Sequence, residues 1–209
     1  LSVILGFAGQ LEDDRTLPAS AREQAACIRK QGERLRSLIS DLNLTSRLEY
    51  AMQPLRMETV YLVELARQAI CELLDSGLEE RYEIEFCADR ESESVSILGD
   101  EALLKRALGN LIQNSIVHNP QGCRIAVSVL RGEAGIMVDV ADDGAGVSAE
   151  MLKELTADSH HLESTDEKLN LRHGLGVLLV RQIVEVHKGT MTMESAPQKG
   201  FRTVLTFPA

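Results

Sequence analysis

Aromatic side chains are scarce in this chain of 209 residues, at 3% with no Trp. We therefore expect an aliphatic core, and the sequence disfavours a nucleic-acid reader that stacks bases on aromatic rings. Basic side chains are outnumbered by acidic ones, and the formal net charge is −10. Proteins that bind phosphate backbones hold them with clustered Lys and Arg. We expect no nucleic-acid partner.

Cysteine pairs and membrane-length apolar runs are missing as well. The four cysteines are widely separated, which indicates reduced, mostly buried thiols of a cytosolic protein and neither a disulfide framework nor a zinc site: Cys27, Cys71, Cys87 and Cys123. No run approaches the roughly 18 apolar residues of a membrane span, and no signal peptide is visible. We expect no direct membrane contact. The run Leu1–Leu5 enters a helical pattern without a cap or an initiating Met, so we expect a piece of a longer protein.

Residues 1–50 predict a helical hairpin. The first helix runs to about Gln10. The second carries a stripe at alternating spacings of three and four, formed by Ile28, Leu35, Leu38, Leu42 and Thr45. A hairpin of this size has little core of its own, so it favours a four-helix dimer, with a helical appendage packed on its own domain as the alternative.

Residues 51–59 read as a linker, and residues 60–209 as an α+β sandwich. Helices are predicted from Val60 to Asp75, from Gly99 to His118 and from Gly174 onward. Strands are predicted at residues 81–87, 95–98, 124–130, 135–141, 190–194 and 202–207, with a polar stretch at 147–172. We expect a structural role for His187, which lies at a helix end where a cationic side chain suits the helix dipole.

Three short motifs carry the candidate chemistry. Asn110 and Asn114 lie one turn apart on a helix, either as amide ligands suited to Mg²⁺ or as solvated side chains. Asp142 ends an apolar strand before Gly144 and Gly146, which suits an exocyclic amine and a flat ligand but is also compatible with a plain turn. The third motif is the run 172–177, whose glycines at a helix start suit a phosphate.

The order of these motifs resembles the sensor histidine kinases, within the wider ATP-binding family that includes Hsp90, gyrase and MutL. Asn110–Ser115 resembles the N box, Asp142–Gly146 the G1 box, and His173–Gly176 the G2 box. The resemblance implies a Bergerat-type sandwich with a mixed sheet and an ATP lid between Val147 and Arg172. It also implies Mg-ATP as cofactor, with Asn114 on Mg²⁺ and Asp142 on adenine. The nucleotide-binding residues implied are Asn110, Asn114, His118, Asp142, Gly144, Gly146, Arg172, His173, Gly174, Leu175, Gly176 and Thr203.

The hairpin resembles the dimerisation and phosphoacceptor unit of the same family. The run 1–7 is similar to the segment directly after the H box, so the phosphoacceptor histidine is expected upstream of Leu1 and this chain should not autophosphorylate. The resemblance implies a homodimer through residues 1–50, a response-regulator receiver domain as partner, a cytoplasmic location for this part, and a membrane-anchored intact protein.

Three positions depart from the family pattern. Val117 stands where a basic residue is usual, Arg172 replaces the first glycine of the G2 box, and the paired phenylalanines expected after the G1 box are absent from residues 151–156. Two alternatives therefore stay open, namely a degenerate nucleotide-binding scaffold that dimerises without catalysis, and another ATPase or serine kinase of the same fold.

Overall fold

A computed structural model describes residues 1–50, 54–88, 92–132, 135–157 and 167–208; for Glu49, Glu93 and residues 167–174 it describes the backbone alone. The chain divides into two compact units, Leu1–Arg47 and Leu48–Ala209. Within the described residues, no helix is both long enough and apolar enough to cross a membrane.

The first unit is a hairpin of helix α1 (Ser2–Asp13) and the longer helix α2 (Ala19–Glu49). The guanidinium of Arg29 pairs with Glu12 on α1 at 2.5 Å. A Cβ at Gly32 would lie 2.7 Å from Leu5 Cδ2, so the missing side chain lets the two helices approach closely.

The second unit alternates short strands with helices. In chain order its elements are β1 (Glu58–Tyr61), α3 (Leu62–Asp75), β2 (Tyr82–Ala88), a 3₁₀ turn (Ser92–Ser94), β3 (Ser96–Gly99), α4 (Glu101–His118), β4 (Cys123–Gly132), β5 (Gly135–Asp142), α5 (Ala149–Thr156), α6 (Glu167–Val186), β6 (Thr190–Ser195) and β7 (Phe201–Phe207). Strands β1 and β3 form a separate antiparallel pair.

The main sheet has five strands in the order β2-β4-β5-β7-β6, with β2 parallel to β4 and the other pairs antiparallel. Alternate residues of its central strands are buried, as in Ile125, Val127 and Val129 of β4. Helices α3, α4 and α6 pack on this buried face. The predicted α/β sandwich with a mixed sheet is confirmed.

The buried apolar residues of the described chain are Ala, Val, Leu and Ile, with Phe207 as their one aromatic member, which confirms the aliphatic core. The prediction of mostly buried cysteines is wrong. Three of them are exposed, and Cys123 is half-buried. Cys87 is exposed because it pairs in register with Ser128 on the uncovered face of the sheet.

Two segments differ from the predicted elements. Val60 does not start a helix but lies in β1, because Thr59, Val60 and Tyr61 favour extended backbone and β3 supplies their ladder partners. The polar stretch after Val147 contains α5, whose N-cap Ser148 accepts a hydrogen bond from Met151 N at 3.3 Å.

His187 is a buried link between α6 and α4, so its predicted structural role is confirmed, although its ring is neutral and is not a helix-end cation. Its Nε2 accepts a hydrogen bond from the backbone N–H of Asp100 at 2.8 Å. Because that backbone group can only donate, Nδ1 carries the proton and donates to Ile183 O at 2.6 Å. The ring thereby ties the N-cap of α4 to the last turn of α6.

Replacing His187 by phenylalanine should lower the free energy of unfolding by about 1–3 kcal/mol, because the partly buried Asp100 N–H loses its acceptor. Urea denaturation followed by circular dichroism measures this change. Leu98→Ala serves as the control, since Leu98 is 65% exposed and its loss should stay within about 0.5 kcal/mol. Equal losses in the two variants would contradict the proposed link.

Candidate functional site

A cavity of about 250 Å³ lies between α4, the end of β5, α5 and the first described side chains of α6. Its walls are mainly apolar, and Asp142, the one acidic residue among the described residues that line it, defines its acidic end. Its lining residues are Leu111, Asn114, Ser115, His118, Asn119, Val140, Asp142, Ala145, Gly146, Val147, Met151, Leu155, Val177, Phe201 and Thr203.

Asp142 supplies the acidic group of the cavity, and it is held by three donors. Its Oδ1 accepts from Asn119 Nδ2 at 3.2 Å and from Gly144 N at 3.0 Å. Its Oδ2 accepts from the Ser115 hydroxyl at 2.8 Å. A carboxylate oxygen accepts about two hydrogen bonds, so Oδ2 keeps one open acceptor position for a ligand.

Ser115 and Asn119 were not among the predicted binding residues. Asn119 is 7% exposed, and its amide joins the last turn of α4 to the loop after β5. The signal in the sequence was weak, because an Asn before Pro120 at the end of a helix is an ordinary stop signal. A buried polar side chain at that point was the informative feature, and burial shows only in the fold.

The loop after β5 is held by backbone contacts that exclude side chains. Gly146 has φ of +63°, and a Cβ there would lie 2.1 Å from Ala196 O. Gln198 N donates to Ala145 O at 2.7 Å, which ties this loop to the turn between β6 and β7. Gly146 is therefore required both by its backbone angle and by the close approach.

The Cys123 thiol adjoins this acidic end and donates to Ser115 O at 3.7 Å. Burial, with the nearby carboxylates of Asp142 and Asp143, raises the pKa of Cys123 to about 11. At neutral pH the group is therefore a protonated thiol and a poor nucleophile.

The two amides predicted as a pair differ in their surroundings. Asn114 lines the cavity and lies against α6, where a Cβ at Gly176 would lie 3.4 Å from its Oδ1. Asn110 does not line the cavity. Its Nδ2 is buried and has no hydrogen-bond partner among the described residues.

The predicted glycine-rich turn at the start of α6 is helical instead. The helix begins at Glu167, seven residues before Gly174, so residues 172–176 lie inside it. Good helix formers in the run 167–172 outweigh the cost of about 1 kcal/mol that each glycine adds. The side chains of Arg172, His173 and the preceding α6 residues, and any contact of Gly174, lie outside the described residues.

Helix α5 forms one wall of the cavity through Met151 and Leu155, which lie one turn apart. None of its residues is buried. Its C-terminal carbonyls accept from Arg181 on α6, with 2.7 Å to Leu155 O and 3.3 Å to Thr156 O. Arg181 therefore fastens the last turn of this wall to α6.

The structure brings together five of the twelve predicted residues on the cavity wall, namely Asn114, His118, Asp142, Gly146 and Thr203. The backbone N–H of Gly144 donates to the Asp142 carboxylate, and Gly176 lies beside Asn114. Asn110 and Leu175 are not part of the wall.

Sequence comparisons bear on the same region. The family model described as "Histidine kinase-, DNA gyrase B-, and HSP90-like ATPase" matches residues 99–209. The chain is similar to sensor histidine kinase YvrG of Bacillus subtilis, with 29% identity over 209 residues, which covers 99% of this chain and 35% of that protein. The chain spans about a third to a half of the curated relatives it matches.

Solved structures share the fold. Full-length ShkA in complex with AMPPNP matches with a TM-score of 0.72 and 24% identity, over 98% of this chain and 42% of that one. ThkA in complex with the response regulator protein TrrA matches with a TM-score of 0.69 and 20% identity, over 99% of this chain and 57% of that one. At these identities the likeness establishes the fold.

Proposed function

Because the chain belongs to the family of histidine kinase-, DNA gyrase B- and HSP90-like ATPases, we propose that it is the catalytic core of a sensor histidine kinase. It binds Mg-ATP and transfers the γ-phosphoryl group to a histidine outside this sequence, for relay to a response-regulator aspartate. The named relatives, such as sensor histidine kinase YvrG, support this assignment. The observation that carries it is the Asp142 carboxylate in the wall of a mainly apolar cavity.

Adenine fits that cavity by its chemistry. The open acceptor position on Asp142 suits the exocyclic amine, while Leu111, Val140 and Val177 offer apolar surface to the faces of a purine. Thr203 is 3% exposed and lines the same cavity, which supports its assignment to the base. His118 and Gly146 complete the proposed adenine site.

Mg²⁺ and the phosphates would lie toward α6. The described residues hold no cluster of three or more His, Cys, Asp or Glu that could bind a metal. Mg²⁺ commonly takes few protein ligands and several phosphate or water oxygens, so the amide oxygen of Asn114 suits it. Asn110 lies one turn before Asn114 and outside the cavity wall, so we assign it only a supporting role behind Asn114. Gly176 lies beside Asn114, so we include residues 172–176 of α6 in the proposed phosphate site, where bound Mg²⁺ would neutralise phosphate charge.

The same proposal includes a homodimer through residues 1–50. In the first unit, large apolar side chains are exposed along both helices: Val3, Ile4, Phe7, Leu11, Ile28, Leu35, Ile39 and Leu42. A second copy of the hairpin would cover them in a four-helix bundle. A sedimentation mass of one chain at tens of micromolar would contradict this part of the proposal.

The remaining partners are inferred from the relatives. A response-regulator receiver domain is the proposed acceptor of the phosphoryl group, in line with the complex of ThkA with TrrA. The intact protein is proposed to carry a membrane-anchored sensing region upstream, with the present residues in the cytoplasm.

Titration calorimetry tests the nucleotide site directly. We expect saturable binding of Mg-ATP and Mg-ADP with a dissociation constant between about 1 µM and 1 mM, the usual range for enzyme substrates. Lack of saturation at millimolar nucleotide would contradict the proposal and favour a non-catalytic scaffold.

The kinase step needs the natural protein with its upstream residues. Incubation with radiolabelled ATP should give phosphate that is labile in acid and stable in base, the behaviour of phosphohistidine. Release of inorganic phosphate without any labelled protein would favour an ATPase of the same fold instead.

A further inference from the structure

Asn119 joins the three segments that build the acidic end of the cavity. Its Nδ2 donates to Ser115 O at 2.8 Å in the last turn of α4, and to Asp142 Oδ1 at 3.2 Å at the end of β5. Its Oδ1 accepts from Ala145 N at 2.9 Å in the loop after that strand. Both donors of the Asn119 amide and one acceptor position of its oxygen are therefore committed to the site.

The contact with the loop is direct. A Cβ at Gly144 would lie 1.9 Å from Asn119 Oδ1, so the loop backbone rests on the amide without a side chain between them. Asn119 is 7% exposed, and bonds shielded from water in this way are costly to leave unmade.

The arrangement fixes the rotation of the Asp142 carboxylate. Asn119 and Gly144 together occupy Oδ1, whereas Ser115 alone donates to Oδ2. Without the Asn119 donor, each carboxylate oxygen would accept one hydrogen bond. The carboxylate could then rotate about its bond to Cβ. The oxygen that faces the cavity would then no longer be preset.

We propose that Asn119 is a positioning residue that makes the cavity prefer 6-aminopurine over 6-oxopurine nucleotides, by holding Asp142 Oδ2 toward the exocyclic amine. This inference rests on the proposed function, since it concerns the same cavity. A purine with a carbonyl at position 6 has no amine to offer, so it gains nothing from the fixed carboxylate.

The test compares ATP with inosine triphosphate (ITP) in the wild type and in Asn119→Leu. We expect the dissociation constant for Mg-ATP to rise about 10-fold, the equivalent of about 1.4 kcal/mol, and that for Mg-ITP to rise less than about 2-fold. An equal loss for both nucleotides would mean a general structural role and would overturn the proposal.

Tyr82→Phe is the matched control. It removes a 3.2 Å hydrogen bond from the Tyr82 hydroxyl to Ile116 O, in the same last turn of α4, without touching the carboxylate. It should keep the wild-type ratio of ATP to ITP affinity. A changed ratio in this variant would overturn the proposal, because loosening the helix end would then be sufficient.

A nucleotide-free measurement separates this inference from the proposed function. Failure of the wild type to bind ATP would refute the proposed function, whereas hydrogen exchange of the Ala145 amide, which donates to Asn119, still tests Asn119. We expect exchange at the Ala145 amide to be at least about 10-fold faster in Asn119→Leu, since its hydrogen bond to Asn119 Oδ1 is lost. Unchanged exchange would overturn the positioning role.

Discussion

Replacing Asp142 by asparagine should raise the dissociation constant for Mg-ATP by about 10- to 100-fold, because a hydrogen bond to a charged group contributes about 1.5–3 kcal/mol. The new amide can keep its oxygen at the Oδ1 position, where Asn119 and Gly144 donate. Its NH₂ group then takes the place of Oδ2. Two hydrogen-bond donors, this NH₂ group and the adenine amine, would then face each other without an acceptor. Calorimetric titration of the variant measures the change.

The same substitution should affect ITP differently. The carbonyl of ITP can accept from the new NH₂ group, so the affinity ratio of ATP to ITP should fall more than the loss of ATP affinity alone implies. Asp139→Asn is the matched control. Asp139 lies on the same strand but on its opposite face, where it pairs with Arg202 at 2.7 Å, and nucleotide binding should not change. An ATP affinity within twofold of the wild type in Asp142→Asn would refute the adenine assignment.

The sheet and the acidic motif could be predicted from the sequence because their signals are local. Strands β4 and β5 alternate buried and outward residues, and Asp142 ends β5 directly before the loop with its two glycines. Apolar and polar residues alternate along a strand in any fold that buries one face of that strand. The order of the motifs then allowed the cavity to be anticipated before its geometry was known.

Asn119 and α5 could not be predicted for the opposite reason, since their roles depend on distant contacts. Asn119 meets Asp142 and Ala145, which lie 23 and 26 residues further along the chain, only when α4 packs on the sheet. Helix α5 has only eight residues, and a helix of that length is marginal in water without contacts to the rest of the fold. Helix α5 is positioned by the contacts of Met151, Leu155 and Arg181. These contacts exist only in the folded unit.

Gly200 shows how strictly backbone contacts define the loop behind Asp142. Its φ is +73°, and its N–H donates to Gly144 O at 3.0 Å. A Cβ at this position would lie 1.8 Å from Asp142 O, a backbone atom that cannot move without shifting the carboxylate. Any side chain here therefore forces apart the β6–β7 turn and the end of β5.

Replacing Gly200 by alanine should therefore lower the free energy of unfolding by about 3 kcal/mol or more, since backbone strain and overpacking each cost about 1–3 kcal/mol.

Two controls separate these causes. Gly77 has φ of +87° but no atom near its would-be Cβ, so Gly77→Ala should lose only about 1–2 kcal/mol. Gly109 lies in α4 with open space around it, and Gly109→Ala should gain up to about 1 kcal/mol. Urea denaturation of the three variants checks this order. If Gly200→Ala loses no more unfolding free energy than Gly77→Ala, the backbone has shifted to relieve the contact with Asp142 O. The loop would then not hold the carboxylate as tightly as its contacts indicate.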